Sequence, residues 1–172
     1  MGNPIDIRRY EDADGAEVRA LFVRINRLMA PPHLHAAFED YIERSLAEEI
    51  GCIADYYGAR QGSFWVARTG GALAGMFGLE AAGAGAMELR RMYVDPGLRR
   101  RGIARAMLIF AETEARRAGA REMVLSTSEI QKEALALYRG AGYRETREEI
   151  ADAASNKTVG GGIRRFHFSK AL

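Results

Sequence analysis

Between Met92 and Arg105 the chain reads Met-Tyr-Val-Asp-Pro-Gly-Leu-Arg-Arg-Arg-Gly-Ile-Ala-Arg, and no other segment restricts the fold as much. Its apolar start predicts the end of a strand, Pro96-Gly97 predicts a turn, and the stretch after Gly102 predicts a helix. A strand feeding straight into a helix is a unit of an α/β sheet. The helix start leaves its first N–H groups unpaired and adds the positive end of its dipole. Gly102 has no Cβ, so an anion can come close to the backbone there. Arginines on both sides supply charge, and together these features predict a site for a diphosphate.

The rest of the chain alternates accordingly. Ile5–Tyr10 predicts a first strand, and Val18, Leu21, Phe22, Ile25 and Leu28 fall on one face of a helix that Ala30-Pro31-Pro32 stops. A second helix spans roughly 34 to 57, with Phe38, Ile42, Leu46, Ile50 and Ile53 on one side. Strands follow at 63–68, 72–79 and 87–94, the first two joined by a hairpin at Gly70-Gly71. A helix from Gly102 to Arg117 buries Ile103, Met107, Phe110 and Ala111, and Gly119 ends it. A strand at 122–127, a helix at 129–140, a strand from Tyr143, a loop at 151–162 and a strand at 163–169 complete the order. No repeat or linker divides the chain, which predicts one domain over residues 1–172. Pairing is expected to be antiparallel early and parallel where helices intervene.

Charge narrows the function. The net charge of +2 gives no reason to expect nucleic acid, but Arg90, Arg91, Arg99, Arg100, Arg101 and Arg105 crowd together against Asp95 alone. That is a local anion site. The single Cys52 excludes an internal disulfide framework, and it is expected in the core. No apolar run reaches membrane-spanning length, and Met1-Gly2-Asn3-Pro4 does not read as a signal peptide, so a cytoplasmic protein is expected. His33, His35 and Glu39 do not make a convincing metal site beside a Pro-Pro turn. Neither G-x-G-x-x-G nor G-K-S/T occurs, which argues against the common dinucleotide and ATP loops.

Three segments carry a family resemblance. Arg99-Arg100-Arg101-Gly102-Ile103-Ala104 fits R/Q-x-x-G-x-G/A, the signature of the GNAT superfamily of acyl-CoA N-acyltransferases. Met87-Glu88-Leu89-Arg90-Arg91-Met92-Tyr93-Val94 resembles the central strand of that family. Glu133 to Tyr143 resembles its A-x-x-L-Y-x-x-x-G-F segment, with Tyr143 for the usual phenylalanine. The resemblance runs from about Ser63 to Glu145. It implies an α/β fold: a mixed central sheet of about seven strands with about four flanking helices, splayed between the fourth and fifth strands.

The resemblance further implies an enzyme that uses acetyl-CoA to acetylate the primary amine of a small molecule, by direct attack in a ternary complex. Main-chain groups of Met92 and Val94 would hold the pantetheine arm. The segment Arg99, Arg100, Arg101, Gly102, Ile103, Ala104 and Arg105 would surround the pyrophosphate. Gln131 stands where many members have an asparagine that touches pantetheine. Glu88 would take the proton of the amine, directly or through a water, with Glu80 as the alternative base. A backbone N–H near Met92 or Tyr93 would hold the oxyanion, and Tyr138 would protonate the leaving thiolate.

The acceptor site would come from about 24–57 and 145–168, where Arg24, Arg27, His33 and His35 would suit a carboxylate-bearing amine such as an α-amino acid. A homodimer is compatible with the family. The competing reading is a catalytically silent CoA-binding sensor of the same fold, which the presence of Glu88 and Tyr138 opposes.

Overall fold

The computed structural model describes residues 3–172; Met1 and Gly2, which head the segment considered above as a signal peptide, lie outside them. The strands are β1 (Asp6–Arg9), β2 (Ser63–Thr69), β3 (Ala72–Ala81), β4 (Ala86–Val94), β5 (Glu122–Ser128), β6 (Arg144–Ala151) and β7 (Ile163–Ala171). The helices are α1 (Gly15–Met29), α2 (His35–Ser45), α3 (Ile53–Gly58), α4 (Ile103–Arg117) and α5 (Lys132–Gly140). One sheet holds all seven strands in the order β1-β2-β3-β4-β5-β7-β6.

Alternation along the strands sorts the core into two layers. On β2, Trp65 and Ala67 face α4 and α5, whereas Phe64 and Val66 face α1 to α3. Ile103, Met107, Leu108 and Ala111 cover the first face, and Val18, Leu21, Phe22 and Ile25 cover the second. Leu28, expected on that buried stripe, is exposed, and Met29 beside it packs against the cluster instead.

Three expectations need correction. The second helix is not continuous over 34–57: after α2 comes a π-helical turn at Leu46–Ile50, then a break, then α3. The Gly51 N–H closes that wide turn on the Leu46 carbonyl at 2.8 Å. A Cβ on Gly51 would lie 2.4 Å from the same oxygen, so only glycine fits the closure. Cys52, read as core, is half-buried in the break. Parallel pairing is also rarer than expected. β4 and β5 are parallel, but β7 inserts between β5 and β6 and is antiparallel to both.

The sheet's central irregularity lies in β4. Gly78 pairs with Arg90 and Met76 with Tyr93, so one residue too many stands opposite Phe77. This is a β-bulge, and Arg91 sits in it at φ +53°. In a regular strand Arg90 and Arg91 would point to opposite faces. With the bulge, both reach the carboxylate of Glu49 from the π-turn, which is fully buried. Arg90 Nη2 and Arg91 Nη2 each donate to its Oε2 at 2.7 Å, while the Tyr57 hydroxyl donates to Oε1 at 2.7 Å. Tyr57 lies against Gly78, where any Cβ would collide with its ring.

Burial pushes the Glu49 carboxyl up, but Arg91, Arg90 and Tyr57 outweigh it and hold the pKa below the ordinary carboxylate value. Asp14 is also lowered, by its ion pairs to Arg8 and Arg68 against the cost of burial. Carboxyls lowered in the native state stabilise it fully above their unfolded values near pH ~4, and that gain is lost as pH falls through the native values. Urea unfolding should therefore give a flat stability from neutral pH to about 5 and a steep loss below about 4. Glu49→Ala leaves the buried Arg91 without a carboxylate and Arg90 with Glu80 alone, and should cost about 3–5 kcal/mol in the same assay at neutral pH.

Candidate functional site

The bulge bends β4 away from its parallel neighbour. Pairing with β5 stops at Glu88↔Val124, yet β5 stays paired with β7 as far as Ser128↔Arg165. A slot opens beyond Glu88, and three cavities meet along it.

The first, of ≈ 690 Å³, lies between the end of β4 and the starts of α4 and α5. Met92, Val94, Arg99, Arg100, Gly102, Ile103, Ala104, Arg105 and Gln131 all line it, as does Tyr138. Gly102 precedes the helix at φ +76°, and a Cβ there would meet nothing within 4 Å. The cradle is thus open to an incoming group, with the first N–H groups of α4 behind it. The Ile103 side chain belongs to the core, so only its main chain is available to a ligand. Arg101 is exposed and is not part of this wall, unlike Arg99 and Arg100. The turn explains the difference: Arg100 takes a left-handed conformation at φ +61°, which rotates successive side chains apart. Arg99 also reaches Glu133 at 3.3 Å, an exposed pair of little energetic weight.

A second, small cavity of ≈ 90 Å³ fills the slot itself. It shares Met92, Tyr93, Gln131 and Tyr138 with the first. Gln131 accepts a hydrogen bond from the Thr127 hydroxyl at 2.9 Å, which fixes its amide at the mouth of the slot. Burial pushes the Tyr138 phenol well above its ordinary pKa, and Tyr93 nearby adds to the shift. A phenol so placed stays protonated and can donate.

On the far side a third cavity, of ≈ 490 Å³, opens between β4, β5, β6 and β7. Glu88, Ser126, Lys157 and Arg165 form the partition between it and the slot. Glu88 lies directly across from Glu80 of β3. Lys157 Nζ reaches Glu88 Oε2 at 2.9 Å and Glu80 Oε1 at 3.4 Å. Glu80 also accepts from Arg90 at 3.1 Å, while its other oxygen is buried without a partner among the described residues. Arg90, two residues along the strand from Glu88, is committed to Glu49 and Glu80.

Residues proposed for the acceptor side fare differently. Arg24 is ion-paired to Asp95 in the Pro96-Gly97 turn, and Arg27 to Glu39 at 2.8 Å. His33 and His35 do not line any of the three cavities. For Arg24 and Arg27 the reason is the rotation of α1, whose apolar stripe faces the sheet so that its arginines face outward; His33 and His35 lie beyond it, in the turn at Pro32–Leu34 and at the start of α2. Tyr41, Ser126, Thr146, Arg147, Lys157, Arg165 and His167 stand in their place around the slot and the far cavity. All of these but Ser126 fall within the stretches 24–57 and 145–168 expected to form the acceptor site, although none was singled out there.

Comparison with known proteins agrees with this geometry. The profile of the acetyltransferase (GNAT) family matches residues 22–143. N-acetyltransferase family 8 member 2 of Rattus norvegicus is 30% identical over 138 residues, covering 77% of this chain and 60% of that protein. N-acetyltransferase 8 of Homo sapiens is 32% identical over 113 residues, covering 62% of this chain and 50% of the human one. The matched region thus spans half to three fifths of these relatives' length. Among solved structures, a GNAT-family acetyltransferase of Staphylococcus aureus Mu50 superposes with a TM-score of 0.73 at 19% identity, covering 95% of this chain and 98% of that one. The protein yncA of Salmonella typhimurium, solved with its cofactor acetyl-CoA, superposes with a TM-score of 0.74 at 19% identity, covering 98% and 94%. At such identities the fold is what is shared.

Because the Gly102 cradle has room but a left-handed backbone, Gly102→Ala should fold and lose only the conformational cost of about 1–2 kcal/mol, read from urea unfolding. A loss well above that range would mean that the position is packed rather than open.

Proposed function

The chain belongs to the acetyltransferase (GNAT) family, and on that premise we propose that it transfers an acetyl group from acetyl-CoA to the primary amine of a small molecule in a ternary complex. The reading is carried by the slot between β4 and β5, which joins a long groove at a helix start to a second cavity lined by a carboxylate. Two ligands can then meet from opposite sides, with no covalent enzyme intermediate. We take residues 1–172 as one catalytic domain, and the single cysteine supports a reducing, cytoplasmic setting.

Bound acetyl-CoA supplies an activated acyl thioester. In this reading the main chain of Met92 and Val94 aligns the pantetheine arm, and the N–H groups from Arg99 to Arg105 hold the pyrophosphate, with Arg99, Arg100 and Arg105 adding charge at the rim. Gln131 orients the arm from the other wall. The bulge leaves Arg91 and Met92 without register partners on β3, and a backbone N–H near Met92 or Tyr93 favours the negative charge that develops on the carbonyl oxygen. Glu88 accepts the proton of the incoming amine. Tyr138, kept neutral by its burial, donates to the departing sulfur. The far cavity mixes Glu149 and Glu88 with Arg147 and Arg165, which supports a zwitterionic, amino-acid-like acceptor whose carboxylate meets a guanidinium.

Thermal unfolding tests the first half: ligand at about 100 times its Kd adds roughly 2.7 kcal/mol, so acetyl-CoA and CoA should raise the Tm by several degrees and NADH should not. The absence of any shift with either CoA species would defeat the proposal. For the chemistry, Glu88→Gln should lower kcat by on the order of 10²–10⁴-fold with little change in the KM for acetyl-CoA, followed by thiol release. Unchanged turnover in Glu88→Gln and Tyr138→Phe together would remove both roles.

A further inference from the structure

One amine already stands at the candidate catalytic carboxylate. Lys157 Nζ lies 2.9 Å from Glu88 and 3.4 Å from Glu80, and its side chain lines both the slot and the far cavity. The backbone on either side of it is pinned. Arg165 Nη1 donates to the Lys157 carbonyl at 2.5 Å, and Arg91 Nη2 donates to the Asn156 carbonyl at 2.5 Å. The lysine is therefore aimed at the slot by the same arginine bulge that opens it.

The residue type is equally informative. Of 25 lysines and arginines in the chain, only Lys132, Lys157 and Lys170 are lysines. The other long cations around the slot and far cavity, Arg90, Arg91, Arg147 and Arg165, are guanidiniums. An ion pair to Glu88 and Glu80 could be made as well by arginine. A guanidinium keeps its protons, whereas a lysine beside a base can lose one and become a nucleophile.

We propose that Lys157 is an acceptor for this enzyme's own acetyl group, so that the chain modifies itself at the Glu88–Glu80 site. This rests on the acetyl-transfer reading above. Glu88 takes a proton from the ammonium, and the freed lone pair on Nζ forms a bond to the thioester carbonyl carbon. The carbon–sulfur bond breaks, the sulfur takes a proton from Tyr138, and the nitrogen gives its second proton through water to the tyrosinate, while the proton on Glu88 passes to solvent. The net change is acetyl-CoA plus protonated lysine to acetyl-lysine, CoA thiol and one proton. The product amide is neutral, so both ion pairs that hold the side chain across the far cavity disappear with the modification. A free amine and Lys157 compete for one position, and self-modification is the reaction of an enzyme without its external acceptor.

The test incubates the full chain with acetyl-CoA alone and follows acetylation of each lysine by peptide mass spectrometry, with thermal shift by CoA measured in parallel. Lys132 and Lys170 serve as internal controls. Lys157 should be acetylated at least about tenfold faster than either, with a first-order rate independent of protein concentration, as expected of a group already held in place. Glu88→Gln should slow it by on the order of 10²-fold or more. Lys157→Arg should abolish that label and leave the slow background at Lys132 and Lys170. Labelling at Lys157 no faster than at the controls overturns the inference, as does a rate proportional to protein concentration. If CoA shifts the Tm but Lys157 stays unlabelled, this inference alone falls; if CoA gives no shift, the acetyl-transfer reading falls with it.

Discussion

The buried carboxylate of Glu49 organises this molecule. A carboxylate removed from water is costly unless its oxygens find donors, and here the donors come from Arg90, Arg91 and Tyr57. Two consecutive strand residues can serve one group only if the strand is irregular between them. The bulge at Arg91 supplies that irregularity, and the same bulge tips β4 away from β5. Gly51 and Gly78 complete the arrangement by giving up side chains, one so that the π-turn can close and the other so that Tyr57 can lie flat. Helix, sheet and slot are thus tied to a single charge.

The division of labour across the slot follows from this. On one side lie main-chain groups, an open glycine and the start of α4, features that recognise phosphate and peptide-like chains regardless of side chain. On the other side lie charged side chains contributed by β4, β6, β7 and the 152–162 loop. The first half is set by backbone geometry and the second by residue identity. Tyr138 stands where they meet, buried enough to remain a neutral donor.

What the sequence disclosed, and what it hid, follows the range of the interactions. The strands at 63–69 and 86–94 and helix α4 were readable because alternation and helical spacing are local, and Gly102 was readable because a helix start preceded by arginines is local as well. The groove-lining positions Met92, Val94, Gln131 and Tyr138 came from family resemblance, which encodes tertiary placement that spacing cannot. Hidden features were long-range. Glu49 looked like one more polar residue on a helix, because its partners lie some forty residues away on β4. A period of two assigns Arg90 and Arg91 to opposite faces, and only the pairing with β3 shows that it fails there. The insertion of β7 between β5 and β6 depends on partners that no local pattern names. The ion pairs of Arg24 and Arg27 were hidden for the same reason, since helical periodicity finds the buried stripe of α1 but not what its outer face meets.

The outermost strand on the slot side has a further consequence. β6 ends the sheet and is exposed along most of its length, with Arg144, Glu145, Arg147, Glu148 and Glu149 following one another almost without a break. A bare strand edge invites another chain to add to it, and dense charge of both signs is a common defence. Thr146, Arg147 and Glu149 of that same strand also wall the far cavity. Refitting this wall for a greasy ligand would therefore strip the guard from the border of the sheet, so ligand preference and resistance to fibril-like association are drawn from one short stretch of residues.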